Sequence, residues 1–382
     1  MQLALVHDWL NQIGGAEDVL ATLVEQYPQS PIYTSIYATD VMPNFYQSWD
    51  IRTLWMDNLP AIYRHHQPYL PLYPFAWQGL DLSDYDVILS NKSGFCHGLQ
   101  FDSSKSLHIC YCLAPTRYVW QLDGYIKREG LGAIAEMGLR PLIAMLKNWD
   151  YQSAQRVSHF IAISTEIQER IHTYYNRDSV IIYPPVETER FQPVSQDQVE
   201  DYFLVVSRLI PYKRIDLAVQ AATRLNLPLK VGGKGRDMER LQAMAGDTVE
   251  FLGYIPDEDL PNLMARAKAF IFPGLEDFGI TPVQAQATGR PVIAYEGGGA
   301  LDTVIEGVSG EFFAEQTVDS LADVMINFDV NQYDSERIRH HALTFDTQNF
   351  LQQIDSFIEQ AWDAKQNNQD FKWHDPIGLY HD

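Results

Sequence analysis

The sequence predicts an α/β protein of two doubly wound, Rossmann-like domains that face each other across a cleft. Three observations lead there: a length of 382 residues, a regular alternation of short apolar runs with helix-period segments, and a restart of that alternation near Tyr202. A chain this long suits two ordinary cores better than one. Its 46% hydrophobic and 20% charged residues are those of a globular protein.

The first series of strands reads as Leu3 to Val6, Val87 to Ser90, His108 to Cys112, Phe160 to Ile163 and Val180 to Tyr183. Between them, the Pro-, Tyr- and Trp-rich stretch 42–82 reads as loops and short helices. Its aromatic cluster Tyr69, Tyr73, Phe75 and Trp77 reads as packing. The second series opens at 202–207 and continues at 229–232, 249–252, 269–272 and 291–295, with helices near 215–225, 258–267 and 282–289. The polar segment 187–201 reads as the linker. The expected boundaries are therefore 1–190 for an N-terminal domain, 200–345 for a C-terminal domain, and 346–382 for a helix and tail able to pack back on the first domain. Phe350, Ile354, Phe357 and Ala361 recur at helical spacing within 347–366, as a packed helix requires.

Charge and composition exclude several classes. A net charge of −22 repels phosphate backbones, so nucleic acid is not expected as a partner. No apolar run reaches the roughly 18 residues that span a bilayer. The start, Met1 to Val6, lacks a charged leader region and reads as a strand, so a cytoplasmic location is the default expectation. One local exception is 125–147, where Lys127, Arg128, Arg140 and Lys147 flank apolar residues; weak peripheral contact with the cytoplasmic face of a membrane is expected there. Cys96, Cys110 and Cys112 form no disulfide framework and read as buried free thiols. Eleven histidines show no metal spacing; the adjacent pairs His65-His66 and His340-His341 do not share a helix face and read as surface positions.

Three segments carry chemistry. After the first strand, His7-Asp8-Trp9 leads to Gly14-Gly15-Ala16-Glu17, where paired glycines at a helix start let a phosphate approach the backbone. After the strand at 202–207, Arg208 and Lys213 place two cations before a helix, suited to a diphosphate gaining charge. After the strand at 269–272, a loop carries Glu276 and Gly279 into another helix. Thr281 is expected as its N-cap, with Pro282 at the first helical position and Gln284 completing a capping box. Glu276 is placed to accept hydrogen bonds from sugar hydroxyls, and Gly297-Gly298-Gly299 supplies a second flexible turn on the same rim.

Taken in order with Gly232-Gly233, Gly253-Tyr254, Arg117 to Trp120 and Tyr183-Pro184-Pro185-Val186, these motifs resemble the group 1 family of retaining glycosyltransferases (glycosyltransferase family 4) from the first residues to about 315. The likeness is greatest to its bacterial polysaccharide and mannosyltransferase branch. The resemblance implies the GT-B architecture and transfer of a hexosyl unit, with retention and without a metal, from a UDP- or GDP-sugar to a glycan or lipid-linked acceptor. No cofactor beyond that nucleotide sugar is implied. It further implies that Gly15 lies against the donor phosphate and that Arg208 and Lys213 hold the diphosphate. Gly253 and Tyr254 meet the base, Glu276 binds the hexose, and Gln284 meets the ribose. The amides of Phe278, Gly279 and Ile280 hold sugar and phosphate, and Gly232 belongs to the donor-binding set.

Two positions depart from the family pattern. A second glutamate is usual eight residues after the first, and here it is Gln284. A histidine that contacts the donor sugar is usual where Leu113 stands, with His97 as a candidate substitute. These departures favour the alternative of a catalytically silent nucleotide-sugar-binding subunit. A metal-dependent transferase would instead use the Asp-x-Asp spacing of Asp84-Tyr85-Asp86 or Asp257-Glu258-Asp259. The first precedes a strand and the second starts a helix, so both read as structural.

Overall fold

The computed structural model describes residues 1–121 and 133–378. The chain divides into two compact units, one formed by Met1–Tyr183 with the residues from Leu351 onward, the other by Pro184–Phe350.

In the first unit seven strands form one parallel sheet: β1 Leu3–His7, β2 Ile32–Thr34, β3 Ile51–Thr53, β4 Val87–Lys92, β5 Leu107–Cys112, β6 His159–Ala162 and β7 Ser179–Ile181. Their order is β3-β2-β1-β4-β5-β6-β7. Every residue of β1, β4 and β5 is buried, as expected of strands covered on both faces. The three-residue strands β2 and β3 are additions to the five expected, too short to leave a periodic trace. Over one face pack Tyr73 and Trp77 with Trp9 and Phe95, while Phe75 turns outward. All three cysteines are buried and free.

The second unit has six parallel strands: β8 Phe203–Val206, β9 Leu229–Gly232, β10 Val249–Gly253, β11 Ala269–Phe272, β12 Val292–Tyr295 and β13 Gly310–Phe313, in the order β10-β9-β8-β11-β12-β13. Strand β13 was not expected, because Gly310-Glu311-Phe312-Phe313 contains no β-branched residue. Helix Ile215–Leu225 buries Ile215, Val219 and Ala222 against this sheet.

Two expectations need correction. The segment 187–201 is part of the second unit rather than a free linker: Thr188 bonds to Asp346, Phe191 is buried, and Arg339 donates to the Phe191 carbonyl. Nor are the histidine pairs wholly on the surface. His66 stacks on Trp9 at 5.2 Å, and His341 lies 3.0 Å from the Thr303 carbonyl. Helix Thr347–Gln366 carries its Phe350, Ile354, Phe357 and Ala361 stripe buried, and from Leu351 it belongs to the first unit, where Tyr27 and Gln26 both donate to Asp355. Among the described residues no helix is long and apolar enough to cross a membrane.

The first unit keeps several histidines neutral. Burial pushes His108 down to about 3 and His159 to about 4, and it lowers His66 and His97 as well. In the unfolded chain each takes up a proton near pH 6.5, so their contribution is intact above that value and is lost as pH falls below it. In the second unit burial lowers His341. All eight tryptophans lie in the first unit, so their fluorescence reports on it alone. From about pH 7 to about pH 5 the unfolding midpoint followed by tryptophan should drop further than that of the second unit, followed by hydrogen exchange in helix Ile215–Leu225. The slope is up to about 1.4 kcal/mol per pH unit for each histidine.

Candidate functional site

Doubly wound sheets gather ligands at the carboxyl ends of the strands where the strand order reverses. In the second sheet the reversal falls between β8 and β11. Strand β8 runs into Arg208 and the turn Pro211–Lys213, and β11 runs into Pro273 to Glu276. The Lys213 ammonium is ion-paired with the Glu276 carboxylate, and the two side chains are only 13% and 23% exposed. Their approach is set by the backbone. A Cβ at Gly274 would lie 3.0 Å from the Lys213 carbonyl oxygen. The Arg214 guanidinium reaches the Gln316 carbonyl at 3.3 Å, and the Gln316 amide reaches the Pro273 carbonyl at 2.9 Å. Arg208 is exposed, and its guanidinium is bonded to no described residue.

The loop after Glu276 departs from expectation. Gly279, not Thr281, is the N-cap, in the left-handed region at φ +101°, and the helix is Ile280–Ala287. The glycine turns the chain into the helix two residues early, so Thr281 and Pro282 fall inside the first turn. Proline is tolerated there because the first helical amides have no intrahelical acceptor. Gln284 is then no part of a capping box. It is half-buried, and its side chain bonds to no described residue. The amides of Gly279 and Ile280 likewise donate to no described acceptor. The Phe278 ring packs on Phe345 at 5.8 Å, which leaves only its backbone for a ligand.

The triple glycine seats this loop. A Cβ at Gly298 would lie 2.4 Å from the Glu276 carbonyl oxygen, and one at Gly299 2.2 Å from Phe278 Cα. The Gly299 amide donates to that same Glu276 carbonyl at 2.9 Å.

On the neighbouring strands, Gly232 is buried, and a Cβ there would meet the tip of the Ile255 side chain at 2.1 Å, a contact that chain can relieve by moving. Gly253 faces open space, and Tyr254 beside it is 65% exposed. The Lys234 ammonium stands 5.7 Å from the Tyr254 ring centroid. Lys234 was missed in the sequence, although a cation between Gly233 and Gly235 at the end of a strand was the available signal. A cavity of about 420 Å³ runs from Tyr254 past Lys230 and Tyr202. Several of its charges already pair with one another, Arg266 with Glu200 at 2.7 Å and Lys230 with Glu200 at 3.6 Å, and Lys230 also lies over the Tyr202 ring at 3.9 Å.

In the first sheet the reversal falls between β1 and β4. Gly14 caps helix Gly15–Gln26 in an extended conformation, and a Cβ there would meet only Glu17 Oε2 at 3.5 Å. Neither turn nor packing requires that glycine. The Gly15 and Ala16 amides have no intrahelical acceptor. Asp8, fully buried, accepts four amides from Ser93, Gly94, Phe95 and Cys96 at 2.6–2.8 Å. Lys92, also buried, donates to the Ala114 carbonyl at 3.1 Å and to Thr116 Oγ1 at 3.3 Å. Thr116 lies 2.7 Å from Asp150, which also accepts from Trp120 and Tyr175. His97 is buried against the Asp150 carbonyl, so it is a core residue and no substitute at the Leu113 position. Lys127 and Arg128 of the basic stretch lie outside the described residues; Lys147 stands 5.3 Å from the Trp120 ring centroid.

Asp86 accepts the Gln2 amide at the amino end of β4, and Asp259 stands at the N-cap position of helix Leu260–Ala265 without a side-chain capping bond. Among the described residues no three His, Cys, Asp or Glu side chains are grouped to hold a metal ion.

Comparison with known proteins returns two family models: Glycosyltransferase Family 4 over residues 13–190, and Glycosyl transferases group 1 over 185–342. A Mycolicibacterium smegmatis protein named GDP-mannose-dependent alpha-(1-6)-phosphatidylinositol monomannoside mannosyltransferase is 33% identical over 166 residues, covering 36% of this chain and 44% of its own length. Alpha-1,3/1,6-mannosyltransferase ALG2 of Dictyostelium discoideum is 28% identical over 298 residues, covering 65% and 68%. The match spans less than half the length of the first curated relatives. Among solved structures, Anabaena HepE in complex with UDP superimposes with a TM-score of 0.70 at 17% identity, over 94% of this chain and 100% of that one. At that identity the likeness is one of fold, and the fold class is GT-B.

Replacing Gly299 with Ala drives a methyl into the Phe278 backbone. It should cost about 1–3 kcal/mol in thermal unfolding of the second unit and displace the Glu276 loop. A variant with an unchanged midpoint would show that the loop is not seated in this way.

Proposed function

The chain belongs to the group 1 glycosyl transferases of glycosyltransferase family 4, and on that premise we propose that it transfers a hexosyl unit from a nucleoside diphosphate sugar to a glycan or lipid-linked acceptor, with retention and without a metal ion. One observation carries the reading: Lys213 and Glu276 meet at the strand-order reversal of the second sheet, on the strand-end loops next to exposed Arg208. A cation pair and a carboxylate match the two halves of such a donor. Arg208 offers paired hydrogen bonds to phosphate oxygens and Lys213 a point charge, while Glu276 accepts from sugar hydroxyls.

As the glycosidic bond breaks, negative charge collects on the leaving diphosphate. Arg208, Lys213 and the amides of Gly279 and Ile280 oppose it with donors fixed in advance, and the departing phosphate helps take the acceptor proton on the same face. The cations do the neutralising that a divalent ion does elsewhere. Tyr254 offers its exposed ring to the base, and Gln284 a neutral amide to the ribose. GDP-mannose is the first donor to test, given the name of the mycobacterial relative, and UDP-hexoses the second, given the UDP in HepE.

The departures at Leu113 and Gln284 favour one second reading, a nucleotide-sugar-binding subunit without turnover. Binding of donor with neither hydrolysis nor transfer would select it.

Arg208→Ala and Lys213→Ala should each lower kcat/KM for donor turnover by about 10²–10³-fold, or roughly 2.7–4 kcal/mol of barrier, with folding unchanged. Turnover should survive a chelator, and the new linkage should keep the donor's anomeric configuration by proton NMR. Wild-type rates in either variant would refute the assignment.

A further inference from the structure

Lys213 and Glu276 are ion-paired with each other. The donor-site reading, on which this inference rests, asks them to part: the ammonium goes to the diphosphate and the carboxylate to the hexose. We propose that Glu276 discriminates between the intact donor and the spent nucleotide. When the hexose is present, its hydroxyls occupy the carboxylate and leave Lys213 to the diphosphate. After transfer the hexose is gone, and Glu276 reclaims Lys213. The carboxylate then competes with the diphosphate for the ammonium and hastens product release.

Four features support a built-in competitor rather than a chance meeting of long side chains. The two turns touch through their backbones at Gly274 and Lys213, and Arg214, Gln316 and Pro273 tie them from behind. The Glu276 carbonyl is itself held, by the Gly299 amide at 2.9 Å. Glu276 has no other described side-chain partner, so once a sugar leaves, Lys213 is the group in reach. Both side chains are mostly shielded from water, which makes their attraction less screened than that of an open surface pair. Arg208 has no such competitor and contributes equally to both nucleotides.

The consequence is a pair of opposite signs. A carboxylate that only binds sugar would leave affinity for the bare nucleotide untouched when neutralised. A competing carboxylate makes that affinity rise. Calorimetric titration of GDP and UDP, and of GDP-mannose and UDP-glucose, into wild type, Glu276→Gln, Lys213→Met, the double variant and Arg208→Ala separates the cases. Glu276→Gln should bind the nucleoside diphosphate on the order of 5-fold tighter and the nucleotide sugar more weakly. The tightening should vanish in the Lys213→Met background, since a double-mutant cycle isolates the pair. If Glu276→Gln binds the diphosphate no tighter, while Lys213→Met and Arg208→Ala both bind it more weakly, the discrimination is overturned and the donor site stands. If Lys213→Met and Arg208→Ala leave diphosphate binding unchanged, the donor-site reading falls and takes the inference with it.

Discussion

The chemistry of the second unit depends on two turns held in backbone contact, one after β8 and one after β11. Parallel strands bring their carboxyl ends to one edge, but that alone leaves loops a side chain's width apart. Here Gly274 lets the Lys213 turn close on the Glu276 turn, and Gly298 and Gly299 let the chain after β12 close on the same loop from the other side. A side chain at any of the three would push the loops apart. The result is a cation–carboxylate pair whose geometry is set by backbone contacts, which is what preorganised electrostatic stabilisation requires.

The first unit solves a related problem with buried charge. Asp8 and Lys92 stand at the ends of neighbouring strands β1 and β4, and neither forms a direct ion pair with the other among the described contacts. Asp8 instead gathers four consecutive amides at 93–96, and Lys92 grips the 114–116 segment. Burying such groups is costly unless every lone pair and proton finds a partner. Their return is position: each charge pins a loop at the sheet's carboxyl edge. The 113–116 segment thus has a fixed path even though Leu113 replaces the histidine usual in the family.

How much of this was legible in the sequence follows from the length scale of each signal. Long apolar strands and the terminal helix stripe, with Phe350, Ile354, Phe357 and Ala361, were readable because periodicity accumulates over several residues. Three-residue β2 and β3 offered little to read, and β13, although as long as β8, opens on Gly310-Glu311 and holds no β-branched residue. Arg208, Lys213 and Glu276 were legible as strand-end residues of the right chemistry. Their pairing was not, since it depends on which strands become neighbours and on how closely Gly274 lets them approach. The capping box failed for a local reason: Thr281, Pro282 and Gln284 satisfy the pattern, but a left-handed Gly279 had already started the helix. His97 was readable as a histidine near Leu113 in sequence, and only burial against Asp150 removes it from the site.

The net charge of −22 sharpens what the cations must do. A nucleoside diphosphate sugar is itself anionic, so the molecule as a whole repels it at distances where charges still act. That repulsion fades beyond about 8 Å at physiological salt. Arg208, Lys213 and Lys234 lie at strand ends of the same sheet, each on the loop that follows β8 or β9. Attraction is therefore confined to contact range. Capture then rests on fitting phosphate, hexose and base to the local arrangement rather than on long-range steering. A site organised in that way gains more from the exchange of one ammonium between a carboxylate and a phosphate than from any addition to the overall charge.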